Sequence, residues 1–170
     1  MPSELSIMIE QDLARLESVS PSGFALAFHI RFTTPAFLFQ TYDRAWLDIY
    51  SQEGLVMSDP IVGFGFSHDG TGWVRWSDLA DSDPAGVLAR SAEYGLRFGV
   101  AVVIDDGGSR SVAGHARHDR EYTDDEIGQI VEIVTRLHRN TQSDQDLSSD
   151  ALAELKRMSV ILTHPDRKSD

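Results

Sequence analysis

Tyr42, Trp46 and Tyr50 stand four residues apart, with Asp59 shortly after them and Trp76 further along. Tyrosine and tryptophan each combine a large apolar body with one hydrogen-bond donor. An ionised aspartate is an acceptor only, so it can take the proton of an amide N–H. Such a set suits a small ligand with an apolar body and a polar head carrying carbonyls and an N–H. The plainer alternative makes Trp46 and Tyr50 core residues and Asp59 the cap of a turn.

Catalytic signals are lacking. There is no Gly-rich phosphate loop, no G-x-S-x-G elbow and no H-E-x-x-H. His115 and His118, with Asp119, could be imagined as metal ligands, but on a strand that spacing puts the two histidines on opposite faces. His29 falls on the polar face of a strand. Carboxylates are abundant, yet abundance in so acidic a chain is no sign of an acid–base pair. No catalytic residue, no metal and no cofactor is expected. The 170 residues carry a formal net charge of -12 and no cysteine. The charge disfavours a wide electrostatic grip on nucleic acid or anionic lipid. The missing cysteine excludes disulfides, thiolate nucleophiles and zinc–thiolate sites. No apolar stretch approaches the ~20 residues of a membrane span. Glu4 and Glu10 make the start unlike an export signal, so a cytoplasmic protein is expected.

The elements that must position these residues follow from periodicity. Leu5, Ile9, Leu13 and Leu16 stripe a helix over 3–19. Phe24, Leu26, Phe28, Ile30 and Phe32 alternate with smaller or polar residues, which predicts a strand with one face on a core. Residues 37–42 read as its hairpin partner. A second helix begins at Asp43, with Trp46, Ile49 and Tyr50 on one face. The glycine-punctuated stretch 61–76 reads as irregular or short extended pieces. Asp83-Pro84 resembles an N-cap with proline at the first helical position, and that helix reaches Gly95. Residues 100–104 and 110–116 form a further hairpin. Thr123 to Glu126 is a capping box for a helix striped by Ile127, Ile130, Val134 and Leu137. Residues 141–147 look like a linker and 148–162 like an amphipathic segment. The order of elements predicts an α+β fold, an antiparallel sheet with helices on its faces.

The order Tyr42-x-x-x-Trp46-x-x-x-Tyr50, Asp59-Pro60, Trp76 and Gly95-Leu96-x-x-Gly99 resembles the autoinducer-binding domain of LuxR-type quorum-sensing transcriptional regulators. The resemblance spans about residues 5–139, within a domain of 1–140. It implies an α-β-α sandwich (PAS/GAF-like) around a five-stranded antiparallel sheet, with an N-acyl-homoserine lactone held between sheet and helices. On that resemblance, Trp46 would donate to the lactone carbonyl, Asp59 accept the amide N–H and Tyr42 donate to the acyl carbonyl. Trp76, rather than Trp73, would pack on the lactone ring. Tyr50, Phe28 and Ile30 would line the acyl chain. Where the family often carries Ser or Thr on a strand, the register here offers His115 or Gly114; His115 is taken as the candidate. Homodimerisation is the family expectation.

Residues 148–170 resemble the opening of the family's helix-turn-helix domain, without its recognition helix. The chain is then either cut to its sensory domain or naturally short, and specific DNA binding would need the missing C-terminal domain. Two alternatives to a ligand sensor follow. One is a dimerisation module of the same fold with a collapsed pocket; the other is a PAS- or GAF-like sensor of a different small molecule.

Overall fold

The computed structural model describes residues 3–142, together with Ser149, Ala153 and Arg157. The expected linker beyond Gln142 and the expected start of a DNA-binding domain otherwise lie outside the described residues. Helix α1 (Glu4–Val19) starts at Ser3, whose side chain accepts the N–H of Ser6. Strands β1 (Phe24–Phe28) and β2 (Phe37–Gln40) follow, then α2 (Arg44–Gln52) and α3 (Pro60–Ser67). Next come β3 (Gly72–Arg75), a 3-10 segment (Trp76–Ser82), α4 (Val87–Ala92), β4 (Phe98–Asp106), β5 (Ser109–Arg117) and α5 (Asp124–Asn140). The five strands form one antiparallel sheet in the order β2-β1-β5-β4-β3.

The two faces of this sheet differ in kind. Phe24, Leu26 and Phe28 of β1 and Val100, Val102 and Ile104 of β4 are buried with Ile9, Leu13 and Leu16 of α1 and with Ile127, Ile130, Val134 and Leu137 of α5. Arg136 ties these two helices, placing a two-pronged ion pair on the buried Asp12 at 2.6 and 2.9 Å. The opposite face carries small residues from β1 and β5, Ala25, Ala27 and Gly114. Above them sit the helices and 3-10 turns between β2 and β4.

Several expectations are corrected. The alternation in the first strand stops at Phe28, because His29 takes a left-handed backbone with φ of 56°. Ile30 is therefore turned to the opposite face, and Phe32 is 97% exposed instead of joining the core. Residues 60–67 are helical, since Asp59 caps the Ile61 N–H and Pro60 occupies the first turn. Gly65 is needed there: a Cβ would lie 2.6 Å from the Val112 side chain, so glycine lets α3 press onto β5. Asp83-Pro84 forms a turn ahead of α4, and the Asp83 carboxylate accepts the N–H groups of Val87 and Leu88. The capping box at Thr123 forms as expected.

His115 departs most from its assignment. On β5 it faces Phe24 of β1 and Val100 of β4, inside the core beneath α1 and α5. It is fully buried and neither ring nitrogen has a hydrogen-bond partner among the described residues. Desolvation lowers its pKa to about 3. The folded protein thus resists protonation while the unfolded chain accepts a proton near pH 6.5. Stability is complete above that pH and falls as pH drops from 6.5 towards 3, with a slope approaching ~1.4 kcal/mol per pH unit. Relative to His115→Leu, the protein should lose about 2 kcal/mol between pH 7 and 5. Urea unfolding at the two pH values checks this, and parallel losses in both proteins would remove His115 as the cause.

Candidate ligand-binding site

Between the small-residue face of the sheet and the overlying helices lies a cavity of about 270 Å³. It is apolar over most of its length, where Ala25, Ala27, Ile30, Leu38 and Val112 meet Leu47, Val62 and Leu88. The polar groups come from few side chains. Tyr42, Trp46, Tyr50, Asp59 and Trp76, five of the six residues singled out by sequence, all line this cavity. His115 does not, because consecutive strand residues point to opposite faces and it sits one place beyond Gly114. Gly114 does line it, where a Cβ would lie 2.8 Å from the Tyr42 hydroxyl. Phe28 also falls on the wrong face for the assigned role, being part of the core beneath α1 and α5, whereas Ile30 reaches the cavity.

Local sequence explains how each group is held. Asp43 caps α2 by accepting the N–H groups of Ala45 and Trp46, which fixes the turn carrying Trp46. Trp46 and Tyr50, one turn apart, stack edge-on at 6.0 Å, and Tyr94 closes the other side of the indole at 5.7 Å. Trp76 is laid across β4 at Gly99, where a Cβ would overlap ring atoms Cδ2 and Cε2. Trp73, the competing tryptophan, sits on β3 and is 41% exposed.

Asp59 is the electrostatic centre. Its Oδ1 accepts the Ile61 N–H at 2.8 Å and its Oδ2 accepts the Tyr50 hydroxyl at 2.7 Å. Burial raises its pKa above the usual carboxylate value, opposed by the hydrogen bonds from Tyr50 and Ile61. Burial likewise drives the Tyr42 and Tyr50 hydroxyls upward, so both are protonated donors at neutral pH. The Trp76 indole N–H is buried without an acceptor among the described residues. Each carboxylate oxygen keeps acceptor capacity beyond its one bond. The arrangement therefore combines donors on aromatic rings with a buried acceptor in a largely apolar chamber. Sequence reasoning missed Ser91, which lines the same cavity and which no periodic signal set apart, whereas Leu96, also in the wall, stands in the Gly95-Leu96-x-x-Gly99 pattern.

Among the described residues no group of His, Asp or Glu could hold a metal ion, and no helix is long and apolar enough to cross a membrane. The sheet is thus backed by a packed core on one face and hollowed on the other, where polar aromatics and a buried carboxylate line one cavity. The family model described as the autoinducer binding domain matches residues 24–140. The chain belongs to that family, the autoinducer-binding domains of LuxR-type regulators.

Solved structures share its fold at low sequence identity. One, SdiA in complex with octanoyl-rac-glycerol, superposes with a TM-score of 0.60 at 16% identity, covering 86% of this chain. This chain spans 64% of the length of that SdiA. Another structure, of Escherichia coli SdiA, gives a TM-score of 0.58 at 18% identity, covering 95% of this chain and 67% of the other. The N-acylhomoserine lactone dependent LuxR family transcription factor CepR2 from Burkholderia cenocepacia gives 0.54 at 16% identity, covering 80% and 95%. No curated protein sequence matches the chain.

Proposed function

We propose that this domain senses a small amphiphile with one acyl tail, an N-acyl-homoserine lactone or a close analogue, and that it is a binding module rather than an enzyme. The observation that carries this reading is that Tyr42, Trp46, Tyr50, Asp59 and Trp76 all line one mostly apolar cavity. In the proposed pose, Trp46 donates its indole N–H to the lactone carbonyl and Tyr42 donates to the acyl carbonyl. Asp59 accepts the amide N–H in a charge-assisted hydrogen bond. Trp76 covers the lactone ring, and Tyr50 orients the carboxylate that it already contacts. The tail runs over Ala25 and Ala27 towards Ile30. A homodimer and a cytoplasmic setting belong to the same proposal, and DNA contact is assigned to a further domain.

The presence of a cavity favours this over the dimerisation-only alternative, which calls for the same side chains packed without space. The monoacylglycerol bound by an SdiA shares the acyl tail but lacks the amide, so it separates tail recognition from head recognition. The test is a thermal melt of the 170-residue chain, produced in a host free of such signals, against lactones of graded chain length and octanoylglycerol. At ~100 times Kd a bound ligand stabilises by about 2.7 kcal/mol, several degrees for this size. Shifts that vary with chain length support the reading. A flat response across the panel, at concentrations that saturate such domains, would overturn it.

A further inference from the structure

We propose that His29 couples the tail end of the cavity to the last turn of α5, so that occupancy is felt where the chain leaves that helix. This rests on the ligand-binding role proposed above. His29 and Phe32 are the non-glycine residues with positive φ among those described, and both lie in the connection between β1 and β2. That connection supplies Ile30, Thr33 and Pro35 to the cavity wall. A left-handed backbone is unfavourable for a residue with a Cβ, so contacts elsewhere must hold it.

The His29 ring supplies contacts of that kind, and for a neutral ring their chemistry fixes which nitrogen carries the hydrogen. Nε2 lies 3.0 Å from the His138 carbonyl oxygen and 2.9 Å from Thr141 Oγ1. A carbonyl only accepts, and the Thr141 hydroxyl donates to the Leu137 carbonyl at 2.8 Å. Nε2 therefore carries the hydrogen, and Nδ1 accepts from Ser109 Oγ at 2.6 Å. The backbone joins in as well. His29 N–H donates to Ser111 Oγ at 3.0 Å, and Ser111 in turn donates to His138 Nδ1 at 2.7 Å. His138 Nε2–H then reaches the Asp106 carbonyl at 3.0 Å, leaving Nδ1 free to accept.

Thr141 and His138 are buried, and the two histidine rings lie 4.5 Å apart. The last turn of α5 is thus held through the residue that aims Ile30 into the cavity. A ligand tail that presses on Ile30, Thr33 or Pro35 acts on the backbone of His29, and any turn of that ring alters its bonds to His138 and Thr141. His29 is accordingly a positioning residue, acting on ligand through Ile30 and on α5 through Thr141.

Hydrogen–deuterium exchange on the 170-residue chain, with and without octanoyl-homoserine lactone, tests the coupling. In the parent protein the lactone should slow exchange about fivefold or more both in the first turns of α3, beside Asp59, and at residues 138–142. His29→Asn tolerates the left-handed backbone but cannot reach Thr141, and Thr141→Val removes the acceptor while preserving shape. In both variants the protection of α3 should persist and that of 138–142 should vanish. Protection of α3 alone in the parent, or an undiminished α5 response in both variants, overturns the coupling and leaves the binding role standing. Failure of every lactone of the graded panel to protect α3 in the parent overturns the binding role, and this inference with it.

Discussion

Asp59→Asn is expected to cut the affinity for an acyl-homoserine lactone by about 10- to 100-fold while the unliganded domain folds as before. The lost interaction is a hydrogen bond to a buried charge, worth about 1.5–3 kcal/mol. The loss is compounded because the asparagine amide can present an N–H where the ligand also presents one. The fold survives because the asparagine oxygen still accepts the Ile61 N–H that starts α3. Stability should even improve slightly at neutral pH. The folded pKa of Asp59 is raised by burial, so its carboxyl favours the fold most below the unfolded value of 3.8. That contribution is lost as pH rises through the folded value. Asparagine removes this titration. Isothermal titration with lactone, beside a thermal melt without it, measures both effects. An unchanged Kd would acquit Asp59 as the acceptor.

Gly99→Ala should damage both stability and the site. The added Cβ meets the Trp76 ring junction, and Trp76 is confined by Val87, Leu96 and Ala101. Overpacking of this kind costs about 1–3 kcal/mol, occasionally more. At roughly 2–4 °C per kcal/mol for a chain of this length, Tm should fall by about 2–12 °C. Lactone binding should weaken in parallel because the displaced indole enters the cavity. Trp76→Leu provides the control. In the double variant the clash disappears, so the stability loss should be less than the sum of the two single losses. Strict additivity would mean that Gly99 matters for some other reason than making room for Trp76.

The sheet hairpins, the capping box at Thr123 and the aromatic spacing of α2 were legible because each depends on residues close in sequence. Thr123 and Glu126 cap their helix whatever surrounds it, and Tyr42, Trp46 and Tyr50 reach one cavity through helical spacing together with the strand before it. The misjudged places depend on partners distant in sequence. The left-handed turn at His29 is held by Ser109, Ser111, His138 and Thr141, so nothing near it announced that Ile30 and Phe32 would leave the strand face. The helicity of 60–67 was masked by Gly63 and Gly65, one of which exists for contact with Val112. His115 looked like a polar candidate, but a one-residue difference in register sends it into the opposite core. Among candidates for the site, type and order were informative for the aromatics and Asp59, whereas the face of a strand had to come from pairing.

The unequal faces of the sheet bear on how such a domain can change its diet over generations. Its fold is secured on the α1 and α5 side by large interlocked side chains, while the chamber floor consists of Ala25, Ala27 and Gly114. Exchanges at Ala25 or Ala27 would alter the length and girth of the chamber without touching the residues that keep the chain folded, whereas at Gly114 an added Cβ would press on the Tyr42 hydroxyl. A change in what the chamber admits is therefore separable, at Ala25 and Ala27, from a change in the scaffold.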